Sequence, residues 1–190
     1  MSDLWGIYRD SVHANRIRHR GVVAIECAFI KGTNVVLQSQ FYQGGDMRYW
    51  CKNKSEKSKI IAFSKIAEAL SYLHKKGIIH RDIKPENICF KNNELYLIDF
   101  GLAKKIINNE KHVCEKNINS IIGTPNYVSI NIVNGIEPSR RDDIESLCYI
   151  VLYLYLNDDS FSEYCNLNNI DKKHINNILN KIDDDNLNRI

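Results

Sequence analysis

Charge of one sign is scarce in this chain: 26 Lys and Arg stand against 23 Asp and Glu, a net charge of +3 at pH 7. So small an excess, with no clustered basic stripe, argues against a nucleic-acid binder. Long hydrophobic runs are also missing. The longest, Cys148 to Leu156, is about half of what a membrane helix needs. The six cysteines include no C-x-x-C pair, which excludes a zinc knuckle or a dithiol motif, and they are expected to be reduced core thiols. The N-terminus has neither a basic leader nor an apolar segment, so no secretory signal is expected and the compartment reads as intracellular, cytoplasmic or nuclear. No lysine precedes Lys31, and Gly6 and Gly21 are the only glycines before it. What remains is ordinary: 44% hydrophobic and 26% charged residues over 190 positions, enough for one globular domain with a packed core.

Periodicity places the elements. A short basic helix is expected over Tyr8 to His19, with Gly21 as its stop. Val22 to Ile30 and Asn34 to Phe41 are β-rich runs separated by Lys31-Gly32-Thr33, which predicts an antiparallel hairpin. Asp46 is a suitable cap for a short helix ending near Cys51. Ile60, Phe63, Ile66, Leu70 and Leu73 recur at helical steps, predicting a helix over Ser58 to Lys76 that Gly77 closes. Ile78-Ile79, Ile88 to Phe90 and Leu95 to Ile98 read as short strands, the last two joined by Lys91-Asn92-Asn93-Glu94. Residues 99–140 form a polar, irregular stretch too long for a passive connection. A second buried helix is expected over Arg141 to Leu156, with Ile144, Leu147, Cys148, Val151, Leu152 and Tyr155 on its core face. A weak helix is expected over Lys172 to Ile182.

The chemistry concentrates in His80-Arg81-Asp82-Ile83-Lys84-Pro85-Glu86-Asn87, followed by Asp99-Phe100-Gly101. Asn87 and Asp99 are hard oxygen ligands at the ends of neighbouring strands, a donor set suited to Mg2+ carrying polyphosphate. Asp82 and Lys84 are two apart in an extended loop and so face the same side: a carboxylate to take a hydroxyl proton, an ammonium to offset phosphate charge.

At these residues the sequence resembles the protein kinases, matching H-R-D-x-K-x-x-N and the D-F-G metal motif in order. The lysine two after the aspartate resembles the serine/threonine branch. Ser129-Ile130-Asn131, where most kinases have A-P-E, and Gly135 to Leu147, with Arg141-Asp142-Asp143-Ile144-Glu145, resemble the casein kinase 1 and vaccinia-related kinase group. Cys148 departs from that group's usual glycine.

The resemblance implies an α+β fold, mostly the helical large lobe with a reduced small lobe of one helix and a hairpin. Residues 1–40 would be the small-lobe remnant; 41–160 the hinge, catalytic loop, activation segment and core helices; 161–190 an unassigned tail. It implies transfer of the ATP γ-phosphate to a protein serine or threonine, with Mg2+ held by Asn87 and Asp99, Asp82 as base, and Lys84 and Asn87 beside it. Nucleotide contacts would come from Gln40, Tyr42, Asp46, Cys89 and Asp99, with Ser39 as gatekeeper. His80 would pack beneath Phe100, Asp143 would bond the catalytic-loop backbone, and Thr124 would bridge Asp82 and Lys84. Arg81 is a candidate to bind a phosphate or acidic group near Thr124 and Ser120.

The chain departs from that family in lacking a glycine-rich loop and a strand lysine, with Asp10 in the slot of the usual helix glutamate. Only about 47 residues follow Asp143, which reads as truncation at both ends. Two readings stay open: a minimal, virus-like serine/threonine kinase, acting inside a cell that includes an infected host, or a pseudokinase or relic serving as a protein-binding module. Either would leave the edge of the Val22 to Phe41 hairpin open to a partner chain that completes the small lobe. Neither nucleic acid nor a membrane is an expected partner.

Overall fold

The computed structural model describes residues 17–108, 111–112 and 116–156. The expected helices over Tyr8 to His19 and Lys172 to Ile182, together with Asp10, Cys114, Cys165 and the 161–190 tail, lie outside them wholly or for the most part. The chain divides into two compact units, Met1–Val151 and Leu152–Ile190. Of the second, residues 152–156 are described, and they continue the last helix of the first.

Strands β1 (Ile25–Lys31) and β2 (Asn34–Ser39) pair antiparallel across a two-residue turn, with an irregularity between Ile25 and Cys27. The first strand starts three residues later than expected. Val22 and Val23 instead pair their backbones with Leu97, and both are buried. Cys27 is exposed on β1, so it is not the core thiol expected of it.

Helix α1 (Met47–Cys51) starts where expected, with the Asp46 carboxylate accepting from the Tyr49 N–H at 3.0 Å. Helix α2 (Glu56–Lys75) is capped by Ser55, whose hydroxyl accepts from Ser58 N. It starts two residues before the expected position and buries Ala62, Ile66, Ala69, Leu70 and Leu73. Ile60, assigned to that face, is 55% exposed, because alanines let the helix pack closely along a line that passes one residue to its side. Gly77 closes the helix at φ +71°, the left-handed conformation that only glycine adopts cheaply.

Strand β3 (Ile78–Ile79) follows and pairs with β6 (Lys104–Lys105). Between them β4 (Ile88–Lys91) and β5 (Glu94–Leu97) form a tight antiparallel hairpin. Its turn residues Asn92 and Asn93 have φ of +52° and +63°, the mirror-image turn that matches strand twist and that asparagine tolerates. Short strands β7 (Ile107–Asn108) and β8 (Lys111–His112) pair with each other. Helix α3 (Ile130–Val133) is capped by Ser129, and α4 (Arg140–Tyr155) carries the core residues Leu147, Tyr149 and Ile150. Ile144, expected on that core face, is 44% exposed. The inward face of the first turn belongs to Asp142 and Asp143, which are buried because they bond the loops that cross it.

Candidate active site

The 3-10 turn Pro85–Asn87 leads from the catalytic-loop segment into β4, and β5 returns to Asp99 beside it: the Ile98 N–H donates to the Asn87 carbonyl at 2.9 Å. The hairpin thus returns the chain to the Asn87 backbone one residue before Asp99.

Asp82, Lys84, Asn87 and Thr124 form one hydrogen-bonded cluster. The Lys84 ammonium lies 2.9 Å from Asp82 Oδ2 and donates to Thr124 Oγ1 at 2.7 Å. The Thr124 hydroxyl donates in turn to Asp82 Oδ1 at 2.7 Å. The Asn87 amide donates to Asp82 Oδ2 at 3.0 Å and to the Asp82 carbonyl at 2.9 Å, fixing which end of the amide is nitrogen. Burial alone would push the Asp82 carboxyl up, but its bonds from Lys84 and Thr124 hold it below the usual carboxylate range. It is therefore a carboxylate at neutral pH. Two carboxylate oxygens offer about four acceptor sites. Lys84 and Asn87 take those of Oδ2 and Thr124 takes one of Oδ1, leaving Oδ1 able to accept one further hydroxyl.

Asp99 is exposed, with φ +59°, and its Oδ1 accepts from the Gly101 N–H at 3.1 Å. It makes no hydrogen bond to Asp82, Lys84 or Asn87. Among the described residues, neither Asn87 Oδ1 nor Asp99 Oδ2 has a hydrogen-bond partner. An uncommitted amide oxygen and an uncommitted carboxylate oxygen are the donor types that Mg2+ takes from proteins, so the residues present fit that ion.

Beneath the cluster, His80 is fully buried, its ring centroid 4.9 Å from that of Phe100. Its Nδ1 accepts from the Asp82 N–H at 3.3 Å, so Nε2 carries the proton and donates to the Ile98 carbonyl at 3.0 Å. Burial lowers its basicity, against the opposing influence of Asp143, and the ring is neutral. The Asp143 carboxylate accepts from His80 N at 2.9 Å and Arg81 N at 2.8 Å. Arg81 has φ +69°, a conformation that costs a non-glycine residue about 1–3 kcal/mol, and those two bonds keep it there. The Arg81 side chain donates to the Leu102 carbonyl, tying the loop that bears Asp82 to the segment after Asp99. Gly123, at φ +106°, lets Thr124 approach: a Cβ there would sit 2.7 Å from the Arg81 carbonyl.

The residues placed at the nucleotide by resemblance lie along one edge. Asp46 and Cys89 are backbone neighbours in an isolated bridge, and Gln40 Oε1 accepts from the Lys91 ammonium at 2.7 Å. Tyr42 is buried with its ring 4.9 Å from that of Tyr96, and burial raises its hydroxyl pKa. Burial, with Asp46 adding to it, likewise raises the Cys89 thiol. Gly44 is indispensable to this edge. Its N–H donates to the Phe90 carbonyl at 2.8 Å, and a Cβ would meet that oxygen at 2.7 Å.

Four side chains that the sequence left without a contact complete the picture. His74, expected only to complement the end of α2, has Nε2 at 2.8 Å from Asp143 Oδ2. The Ser129 hydroxyl donates to Asp142 Oδ1 at 2.5 Å, and Asn131 Nδ2 donates to the same oxygen at 3.2 Å. Glu145 accepts from the Ile130 N–H at 2.8 Å. The two short motifs that mark the group, Ser-Ile-Asn and Asp-Asp-Ile-Glu, are therefore halves of one clasp. Their joint occurrence in the resembling group was the available signal.

The family model for the protein kinase domain matches residues 6–190. A probable casein kinase I homolog of Encephalitozoon cuniculi (strain GB-M1) is 46% identical over 103 residues, which cover 53% of this chain. The aligned part is 32% of that relative, so the chain spans about a third of the length of the curated relative it matches.

Proposed function

The chain belongs to the protein kinase family, and from that premise we propose that it transfers the γ-phosphoryl group of ATP to a serine or threonine hydroxyl of a protein substrate. The observation that carries the reading is the Asp82 carboxylate, ionised and with three acceptor sites committed and one left. A substrate hydroxyl occupying that site on Oδ1 is oriented by it and gives up its proton to it as the O–P bond forms. The bond to the bridging oxygen of the leaving diphosphate breaks in the same displacement, and the transition state draws mostly on positioning and charge neutralisation. Lys84, fixed by Thr124 and Asp82, offers its ammonium to the oxygens of the transferring group. Asn87 and Asp99 would hold Mg2+, which when bound neutralises polyphosphate charge. Gln40, Tyr42, Asp46 and Cys89 would flank the base and ribose. A soluble protein acceptor in a reducing intracellular compartment suits this chemistry. The exposed apolar side chains Phe29, Ile30 and Leu37 support a further chain segment or partner over the hairpin.

Radiolabelled Mg-ATP with casein as acceptor tests the proposal. Asp82→Asn keeps the bulk but exchanges one acceptor oxygen for an amide that can only donate, so it should fold with a lowered melting temperature and lose at least about a hundredfold in transfer rate. Equal incorporation by wild type and Asp82→Asn would overturn the assignment. Nucleotide binding is read separately as thermal stabilisation: Mg-ATP at about 100 times its Kd adds roughly 2.7 kcal/mol. Stabilisation without transfer in the wild type would favour the binding-module reading.

A further inference from the structure

A concavity lies between helix α1 with the residues following it and the β4–β5 turn, and none of Asp82, Lys84, Asn87, Asp99 or Thr124 lines it. It encloses about 390 Å3, within the range of ligand-binding clefts. Phe90 forms its floor and Trp50 stacks on Phe90, ring centroids 4.3 Å apart and planes 3° from parallel. Cys89, assigned to the nucleotide, is the adjacent residue of the same strand and so faces the other side of it. The two sites are thus back to back across β4.

The lining has a single sign of charge. Lys52 and Lys54 contribute two ammonium groups, Lys91 lines the cleft with its ammonium bonded to Gln40 Oε1 at 2.7 Å, and no Asp or Glu lines it. Carboxylates nearby in the chain have cations of their own: Asp46 and Glu86 pair with Arg48 at 3.5 and 3.1 Å, and Glu94 with Lys65 at 3.0 Å. Lys91 donates to the uncharged Gln40 amide, and no described carboxylate pairs with Lys52 or Lys54. Lys54 sits 5.4 Å from the centre of the Trp50 ring, which holds its charge at the mouth. The amides of Asn53, Asn92 and Asn93 and the exposed ring of Tyr49 complete the wall.

We propose that this cleft docks an acidic peptide segment of a partner protein, independently of phosphoryl transfer. Separate lysine point charges suit separate carboxylates along an extended chain. The three asparagine amides can both donate to and accept from a peptide backbone, and the Tyr49 and Trp50 rings offer a surface for one apolar side chain. A compact polyphosphate is the poorer fit, because neither a guanidinium fork nor a helix N-terminus lines the cleft and the aromatic wall would go unused.

Fluorescence anisotropy with a labelled dodecapeptide of alternating Glu and Leu, which has no hydroxyl to phosphorylate, tests this on the full chain. The peptide should bind wild type and Asp82→Asn equally, with or without saturating Mg-ATP. Lys52→Glu with Lys54→Glu should weaken it by at least about tenfold, and raised salt should weaken the wild type toward the variant. Should the reversal variant fail to fold, Lys52→Gln with Lys54→Gln is held to the same criterion. Unchanged affinity in the folded variant, displacement by Mg-ATP, or tripolyphosphate binding as tightly as the peptide would each overturn the proposal. None of these readouts depends on catalysis, so an inactive kinase leaves the test intact.

Discussion

Removing the Asp143 carboxylate strands the N–H groups of His80 and Arg81 in a buried setting and releases His74. An orphaned buried donor costs about 1–3 kcal/mol, so Asp143→Ala should lose about 3 kcal/mol in urea denaturation, and Asp143→Asn, which keeps one acceptor oxygen, about half as much. Both should lose transfer activity, because Arg81 then relaxes from its left-handed conformation. His80 gives the molecule an acid-sensitive term. Burial lowers its folded pKa, whereas the unfolded residue protonates near pH 6.5. The unfolded chain therefore binds the extra proton, and this contribution to stability is complete above that pH and is lost as pH falls toward the folded value. Wild type should lose more unfolding free energy than His80→Asn between about pH 7.5 and 5.5; an equal loss would mean that other groups carry the dependence. Asp82, whose folded pKa is depressed, contributes in the same sense at a lower pH, with stability lost only as the pH drops through its folded value.

At the scale of elements, close backbone contacts decide more than side-chain burial. Gly44 joins the segment after β2 to β4 through two hydrogen bonds, Gly44 N to Phe90 O and Phe90 N to Gly45 O. Gly44→Ala places a carbon 2.7 Å from a backbone oxygen that has no room to retreat, and should cost about 2–3 kcal/mol in thermal or chemical unfolding. Gly123→Ala should cost at least as much, because its Cβ would sit 2.7 Å from the Arg81 carbonyl at a φ of +106°, and it should also reduce transfer as the Thr124 bridge moves off Asp82. The elements themselves were legible. Asp46, Gly77 and the Asn92-Asn93 turn carry local signals whose mechanism is complete within a few residues. The inward faces were less so. Ile60 and Ile144 satisfy helical spacing yet face solvent, because on α2 small alanines are the packing surface and on α4 two aspartates are. A hydrophobicity pattern has no means of anticipating buried carboxylates that bond loops arriving from far along the chain. Asp82 and Lys84 were placed together by their spacing in an extended loop, and Thr124 by the resemblance alone.

Among the described residues, the β1–β2 hairpin presents three large apolar side chains to solvent, Phe29, Ile30 and Leu37, at 45%, 71% and 41% exposure. A two-stranded sheet leaves backbone groups at both edges available for pairing. Ile30→Lys should therefore raise the protein concentration at which light scattering sets in, without altering the melting temperature; unchanged scattering would show that the hairpin is not the adhesive surface. The molecule as a whole also has an order in which it can become competent. The loop bearing Asp82 takes its shape from Asp143, whose bonds to it span 62 and 63 positions of sequence, and closing so long a loop waits on the docking of α4. During synthesis the ribosome releases every residue through Asp99 well before the residue that shapes the Asp82 loop. A nascent chain stopped at β5 would contain nearly every reactive group and still hold Arg81 in no fixed conformation. Competence thus arrives late and all together, when one helix seats its first turn.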